Sequence, residues 1–395
     1  MNIVNKIYIS IVGDNIHLKN LEPDVNEWKS FLESLPVPHN AIERAYNKYL
    51  CRQYFLGRKK RIIMDLAGFA MMIAELPFLL VSGKRRNTKI TRSLVLEKHS
   101  EVGYEDVVPQ ELFGEYKKYR VIDNVDKKVG LISKESRSYV LRCISRYPFK
   151  FFFHYFVCKE LIAHDYIINR FSPEAVAVYV NERNVASPIL KEIYSAQNRR
   201  FISFMHGEYL LNMIQAYMSF TDYYVWDDSY IDTFSGFLKS DITHYHVYKP
   251  LKLQKKWNLE KIVPEYTFTY YFSNESKDAI KIIADTFSVF RQNGYKCKVR
   301  PHPRFMQNIQ DMADEFKGVL IETPSEVTLE ESLGNTEFVI GLATTVLFEA
   351  EIEGRKIVID DISNKNLFDN LSARRFRLLS HEHLLLSELL KKYGD

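Results

Sequence analysis

The chain has 395 residues, 46% of them hydrophobic, enough to bury a large core and to expect two domains rather than one. Its 54 Lys and Arg against 50 Asp and Glu leave a formal charge of +4, too balanced for a protein whose main partner is a nucleic-acid backbone, and acidic small molecules or an anionic surface remain as partners. Cys51, Cys143, Cys158 and Cys297 stand far apart with no CxxC pair, which argues against a zinc site and fits a reducing cytoplasm.

From the N-terminus, MNIVNKIYISIVGDN reads as a first β-strand; it lacks the basic start, long apolar run and small-residue cleavage site of a secretory signal. The apolar region from Ile62 to Val81 is interrupted by Asp65, Glu75 and Pro77. Spanning a bilayer would bury those charges, so a packed helix is expected. Arg58, Lys59, Lys60 and Arg61 precede it, and Lys84, Arg85 and Arg86 follow it. Such a charge run marks a solvated face or a contact with anionic lipid head groups at the inner face of a membrane.

The segment Ser136 to Ile168, including YPFKFFFHYFVCKELIAHDYII, has apolar residues at helical spacing and is expected to form core helices. From about Pro173 short apolar runs alternate with amphipathic ones: AVAVYV, a helix from Pro188, FISFM, a helix from Glu208, then YYVW. That alternation predicts βαβ units on a parallel sheet. The stretch from His246 to Thr267 carries two prolines and several lysines without a clear period, and reads as the linker. Beyond it, strands are expected near Phe268 to Phe272, Lys296 to Arg300, Gly318 to Ile321, Phe338 to Ile340 and Lys356 to Ile359, with helices between. The expected architecture is α/β: two Rossmann-type, doubly wound domains, 1–255 and 256–395, facing a cleft, with the last helix packing back on the N-terminal domain.

Ligands bind where parallel strands end, because loops and unpaired backbone amides converge there. Three strand ends stand out. In KVRPHPRF, Pro301 and Pro303 hold Arg300 and His302 extended, so the imidazole is fixed at the end of its strand between Arg300 and Arg304. It can donate to a phosphate oxygen, and its ordinary pKa suits proton transfer to a leaving group. In GLATTVLFEA, Thr344 and Thr345 stand where a helix begins, a phosphate site or simply an N-cap. In FISFMHGEYLLN, Gly207 permits a tight turn, and His206 or Glu208 could accept a proton or merely start a helix. Asn181 and Glu182 occupy the equivalent position one unit earlier. No Asp-x-Asp metal motif is present; Asp227-Asp228 and Asp360-Asp361 read as caps or strand-end residues, and metal-independent chemistry is expected.

The His-Pro pair of PHPR followed by the hydroxyl pair of GLATTVLFEA resembles the bacterial sialyltransferases and polysialyltransferases of the GT-B fold, over roughly Phe268 to Ile362. The resemblance implies a CMP-activated sugar donor as substrate, no cofactor and no metal, and a glycan or glycolipid acceptor. By the same carry-over His302 contacts the CMP phosphate and acts as general acid, Thr344 and Thr345 hold the phosphate, and Arg300, Pro303 and Arg304 line the donor site. Glu330, in ETPSEVTLEE, falls where those enzymes place an acid on the ribose hydroxyls. The chain departs from the pattern in having Thr-Thr without serine and in lacking the acidic-acidic-glycine motif that supplies the base. His206 and Glu208 in MHGEY are the nearest substitutes, and that segment also looks like the His-Gly motif of polyol-phosphate transferases of teichoic-acid and capsule synthesis. A non-catalytic component of a polysaccharide-assembly complex and a nucleotide-sugar epimerase are the readings from other classes.

Overall fold

A computed structural model describes residues 25–80, 94–97, 108–109, 111–112, 119–122, 132–171, 176–178, 182–205, 208–250, 254, 256–303 and 309–394. The chain divides into two units, Met1–Pro250 and Leu251–Asp395, against the boundary at 255 expected from sequence.

The N-terminal unit opens with helices α1 (Val25–Ser34), α2 (Ala41–Gln53) and α3 (Arg58–Leu80). Asn40 starts α2 by accepting from the Glu43 amide at 3.0 Å, satisfying an amide that has no partner within the helix. Strands β1 (Leu94–Glu97) and β2 (Tyr119–Ile122) follow, then α4 (Lys134–Arg146) and α5 (Phe151–Arg170). Next come β3 (Val176–Val178), α6 (Ser187–Ser195), β4 (Phe201–Phe204), β5 (Ser219–Val225), the short α7 (Ser229–Asp232) and β6 (Asp241–Val247). The six described strands lie in the order β2-β1-β3-β4-β5-β6, all parallel. This doubly wound order has its switch point between β1 and β3.

The aromatic run of α5 is core, as its composition leads one to expect. Phe152, Phe153, Tyr155 and Leu161 are buried, and Tyr46 stacks on Tyr147 at 3.7 Å with the Phe153 ring edge-on at 5.4 Å. Helix α3 is pressed onto α5 through Gly68, where a Cβ would lie 2.4 Å from the Phe152 nitrogen, with Met64 and Met72 buried on that side. Only this side of α3 packs; the expectation of a packed helix holds for one face.

The expected helix from Glu208 does not form. Residues 208–212 are irregular, Asn212 accepts from the Ile214 amide and starts a single 3₁₀ turn at Met213–Gln215, and Tyr217 takes a left-handed φ of 57°. Buried Lys48 on α2 fixes this path by donating to the carbonyls of Ile214 at 3.4 Å and Ala216 at 3.1 Å. Side-chain hydrogen bonds to the backbone compete here with helix formation.

The C-terminal unit carries β7 (Tyr266–Tyr271), α8 (Lys277–Gln292), β8 (Cys297–Arg300), α9 (Ile309–Glu315), β9 (Leu320–Ile321), α10 (Leu329–Gly334) and β10 (Thr336–Gly341). It continues through α11 (Val346–Ile352), β11 (Lys356–Ile359), α12 (Lys365–Ala373), β12 (Leu384–Leu385) and α13 (Leu386–Tyr393). Its sheet order, β9-β8-β7-β10-β11-β12, all parallel, is that of a dinucleotide-binding domain, with the switch point between β7 and β10. Alternation along the strands sorts the faces: Phe268, Tyr270, Cys297, Val299, Phe338 and Ile340 enter one apolar core with Ile283, Phe287 and Phe290 of α8. Leu386 and Leu389 of α13 belong to that same core, so the last helix packs on its own unit.

Candidate functional site

The carboxyl ends of β7 and β10 flank the switch point of the C-terminal sheet, and β8 is the next strand beyond β7. Strand β8 delivers Pro301, buried, then His302, half-buried, then Pro303, exposed. His302 therefore stands one strand from the switch point on a turn whose backbone two prolines restrict. Arg304 lies outside the described residues.

Arg300 is not available to a phosphate. It is buried, its Nη1 donates to Glu322 Oε1 at 2.6 Å and its Nη2 to the Val327 carbonyl at 2.9 Å. Lys298, two residues earlier on the same face of β8, meets the other oxygen of Glu322 at 2.6 Å and the Ser332 carbonyl at 3.3 Å. Burial alone would raise the Glu322 pKa. Hydrogen bonds from Lys298, Ser332 and Arg300, with the Lys298 charge, outweigh burial and hold it below the ordinary carboxylate value. Arg300 is thus a positioning residue, holding the loop before α10 against the end of β8. On the first turn of α10, Glu330 is exposed, while Glu331 closes a capping box with Thr328.

At the end of β10 the two threonines part company. Thr344 is buried, and its hydroxyl accepts from the Val346 amide at 3.4 Å; Thr345 is exposed at the N-cap position of α11. The hydroxyl pair is therefore one buried and one presented group. Thr344 also explains Gly341, where a Cβ would meet the Thr344 methyl at 2.8 Å and the Tyr271 carbonyl at 3.1 Å.

Two carboxyls, after β7 and β11 on either side of β10, complete this edge. Glu275 follows β7, accepts from the Ser273 amide at 2.7 Å, and is pushed up to about 7 by burial, with the Asp360 charge adding to the rise. Near neutral pH it is partly uncharged, a state that tolerates an adjacent anion. Asp360 follows β11 and is fully engaged: its carboxylate accepts from the Tyr270 hydroxyl at 2.7 Å, the Ile362 amide at 3.0 Å, the Ser363 amide at 2.9 Å and the Ser363 hydroxyl. It builds the turn after its strand, as expected for an adjacent acidic pair.

In the N-terminal unit His206, Gly207 and Asn181 lie outside the described residues. Glu208, after β4, is half-buried and accepts from the Tyr230 hydroxyl. Glu182, after β3, is buried, and its Oε1 accepts from the Tyr223 hydroxyl at 3.4 Å and the Ser203 hydroxyl at 3.5 Å. Burial raises its pKa, more than the Tyr209 hydrogen bond and the charges of Arg183 and Lys48 lower it. Both acids stand at the carboxyl edge of the sheet, and both accept from a phenol hydroxyl.

Glu182, Glu275 and Glu322 are the residues that sequence reasoning underuses. Each lies within four residues of a strand's end, in AVAVYVNE, YYFSNE and VLIE, so the strand-end rule could have found all three. Among the described residues, no group of three or more His, Cys, Asp or Glu side chains could hold a metal ion.

No family model matches the chain, and no curated protein matches it by sequence. Among solved structures it is similar to Staphylococcus aureus TarM, at 12% identity and TM-score 0.35, over 60% of this chain and 55% of that one. It is also similar to Arabidopsis thaliana UGT89C1 complexed with UDP-L-rhamnose, at 10% identity and TM-score 0.36, over 77% and 82% of the two chains. A third match is the glycosyl transferase family 9 protein of Veillonella parvula, at 12% identity and TM-score 0.26, over 71% and 82%. The chain spans about half the length of the TarM structure it matches. At these TM-scores the likenesses carry no argument about function; the strand-end residues do.

Proposed function

We propose that the chain is a metal-independent, inverting glycosyltransferase of GT-B type that moves sialic acid, or a related nonulosonic or ulosonic acid, from a CMP-activated donor to a hydroxyl of a bacterial surface glycan. The observation that carries this reading is the carboxyl edge of the C-terminal sheet. His302, fixed between prolines after β8, and Thr345, exposed after β10, stand on strands that flank β7 at the switch point of a nucleotide-binding topology. In this reading the donor phosphate sits at that switch point, with the imidazole on one side and the Thr345 hydroxyl and nearby amides on the other. Glu330 receives the ribose hydroxyls.

The reaction breaks the bond between the anomeric carbon and the phosphate oxygen. The acceptor oxygen attacks from the opposite face, its proton passes to a side-chain base, for which the sequence offers Glu208 and His206, and the electron pair leaves with CMP. His302 gives its proton to the departing phosphate and fixed donors stabilise the charge that develops there.

The MHGEY segment supports a second reading, transfer of a polyol phosphate from a CDP-activated donor. Melting curves recorded with CMP-sialic acid, CDP-glycerol and a set of UDP-sugars separate the two. A ligand at a hundred times its Kd stabilises by about 2.7 kcal/mol, which is a resolvable shift. The first reading expects the largest shift with CMP-sialic acid; a CDP-glycerol shift exceeding it selects the second, and a response to UDP-sugars alone sinks both.

A further inference from the structure

Helix α3 has two faces of opposite character. Its inner face packs on α5, and both acids of the helix turn that way: Asp65 accepts from the Phe152 amide at 3.2 Å, and Glu75 is half-buried within the field of Lys159. Its outer face exposes Ile62, Leu66, Phe69, Ile73, Leu76 and Leu80, a stripe at alternating spacings of four and three, with Leu66 at 66% and Leu80 at 76% exposure. A water-facing helix surface is ordinarily polar, so this stripe needs an apolar environment.

Two further observations say which one. Arg58, Lys59, Lys60 and Arg61 are all exposed in the first turn, where cations oppose the helix dipole and weaken the helix. Arg61 donates to the carbonyls of Leu56 at 2.7 Å and Tyr54 at 3.4 Å; the presence of the other three there is explained by an anionic partner at that end. At the turn between α4 and α5, Phe149 is 76% exposed with a left-handed φ of 65°, an uncommon state for an aromatic residue. Its ring lies 6.4 Å from Phe151, whose ring lies 4.9 Å from Phe69, so Phe149 extends the stripe. No described helix is long and apolar enough to cross a membrane.

We propose that the outer face of α3, together with Phe149, docks on an anionic lipid bilayer, with Arg58, Lys59 and Lys60 on head-group phosphates and the apolar stripe at the acyl boundary. The helix lies on the bilayer and does not span it, the arrangement of a basic amphipathic helix whose charge and apolar area act together. A second copy of the chain is the competing occupant of such a stripe; laid parallel, it would set two runs of four cations side by side. The docking does not depend on the transferase reading.

The test is sedimentation of the full chain with phosphatidylcholine vesicles, with and without phosphatidylglycerol, at low and high salt. Sedimentation is expected with the anionic vesicles only, and weaker in high salt. Lys59→Ser with Lys60→Ser should weaken partitioning on the order of thirtyfold, and Leu66→Ser with Ile73→Ser on the order of a hundredfold. All four positions are exposed, so melting curves should stay close to the parent's, and if one pair fails to fold the other still decides. Absence of anionic-vesicle binding, binding indifferent to the folded variants, or a concentration-dependent dimer that forms in place of vesicle binding overturns the proposal.

Discussion

Replacing His302 by alanine is expected to lower turnover of a CMP-activated donor by about 10²- to 10⁴-fold, the range spanned by loss of a general acid or of an electrostatic donor. Melting temperature should barely move. His302 is half-buried on a strand-end turn and fills no part of the C-terminal core, and substitutions of that kind change stability by roughly half a kcal/mol or less. His302→Asn divides the role. Asparagine keeps a hydrogen-bond donor at the phosphate but has no proton to give, so binding should survive while kcat falls. Turnover unaffected by both substitutions would remove His302 from the mechanism, and a loss matched by unfolding would make its role structural.

Replacing Glu322 by alanine should have the opposite signature. It strands Lys298 and Arg300 in a buried site, and breaking such a pair costs about 3–5 kcal/mol. For a unit of this size the melting temperature should drop by roughly 10 °C or more. The acid limb follows from the direction of the Glu322 shift. Its folded pKa is depressed, so the stabilisation is present above the ordinary carboxylate range and is lost as pH falls through the folded value. Denaturation measured across that range should show a slope in the parent that Glu322→Gln flattens. An Ala variant as stable as the parent would mean the two cations find other partners, and Arg300 would again be a candidate donor-site residue.

Much of the fold is legible in the sequence because strands buried on both faces are short apolar runs between helices. FTYYF, KCKVR, FVI and KIVI therefore fall within a residue or two of their strands. The elements that escape have a weak signal for a physical reason. Strand β6, DITHYHV, lies at the sheet edge with partly exposed residues throughout, so its polar side chains hide it, and its end reads as linker. The two-residue β12 has no period to detect. The segment after Glu208 has helical apolar spacing, yet Lys48, far away in sequence, holds its carbonyls in another path.

The same limit governs the site. The prolines around His302 and the glycine before the threonines are local signals, and the turns they predict are there. Whether an arginine or threonine is free depends on partners at a distance. Glu322 engages Arg300, and the packing over Gly341 buries Thr344 and leaves Thr345 outside. Pro77 and the two acids of α3 are enough to argue against a membrane span, but not to reveal that both acids face inward.

The central claim is that the end of β8 and the end of β10 hold one phosphate between them. A structure of the chain with CMP bound tests it most directly. Phosphate oxygens are expected within hydrogen-bond distance, about 2.7–3.2 Å, of the His302 imidazole and of the Thr345 hydroxyl or the amides beside it. Phosphate bound elsewhere, with the His302 to Thr345 region empty, would contradict it.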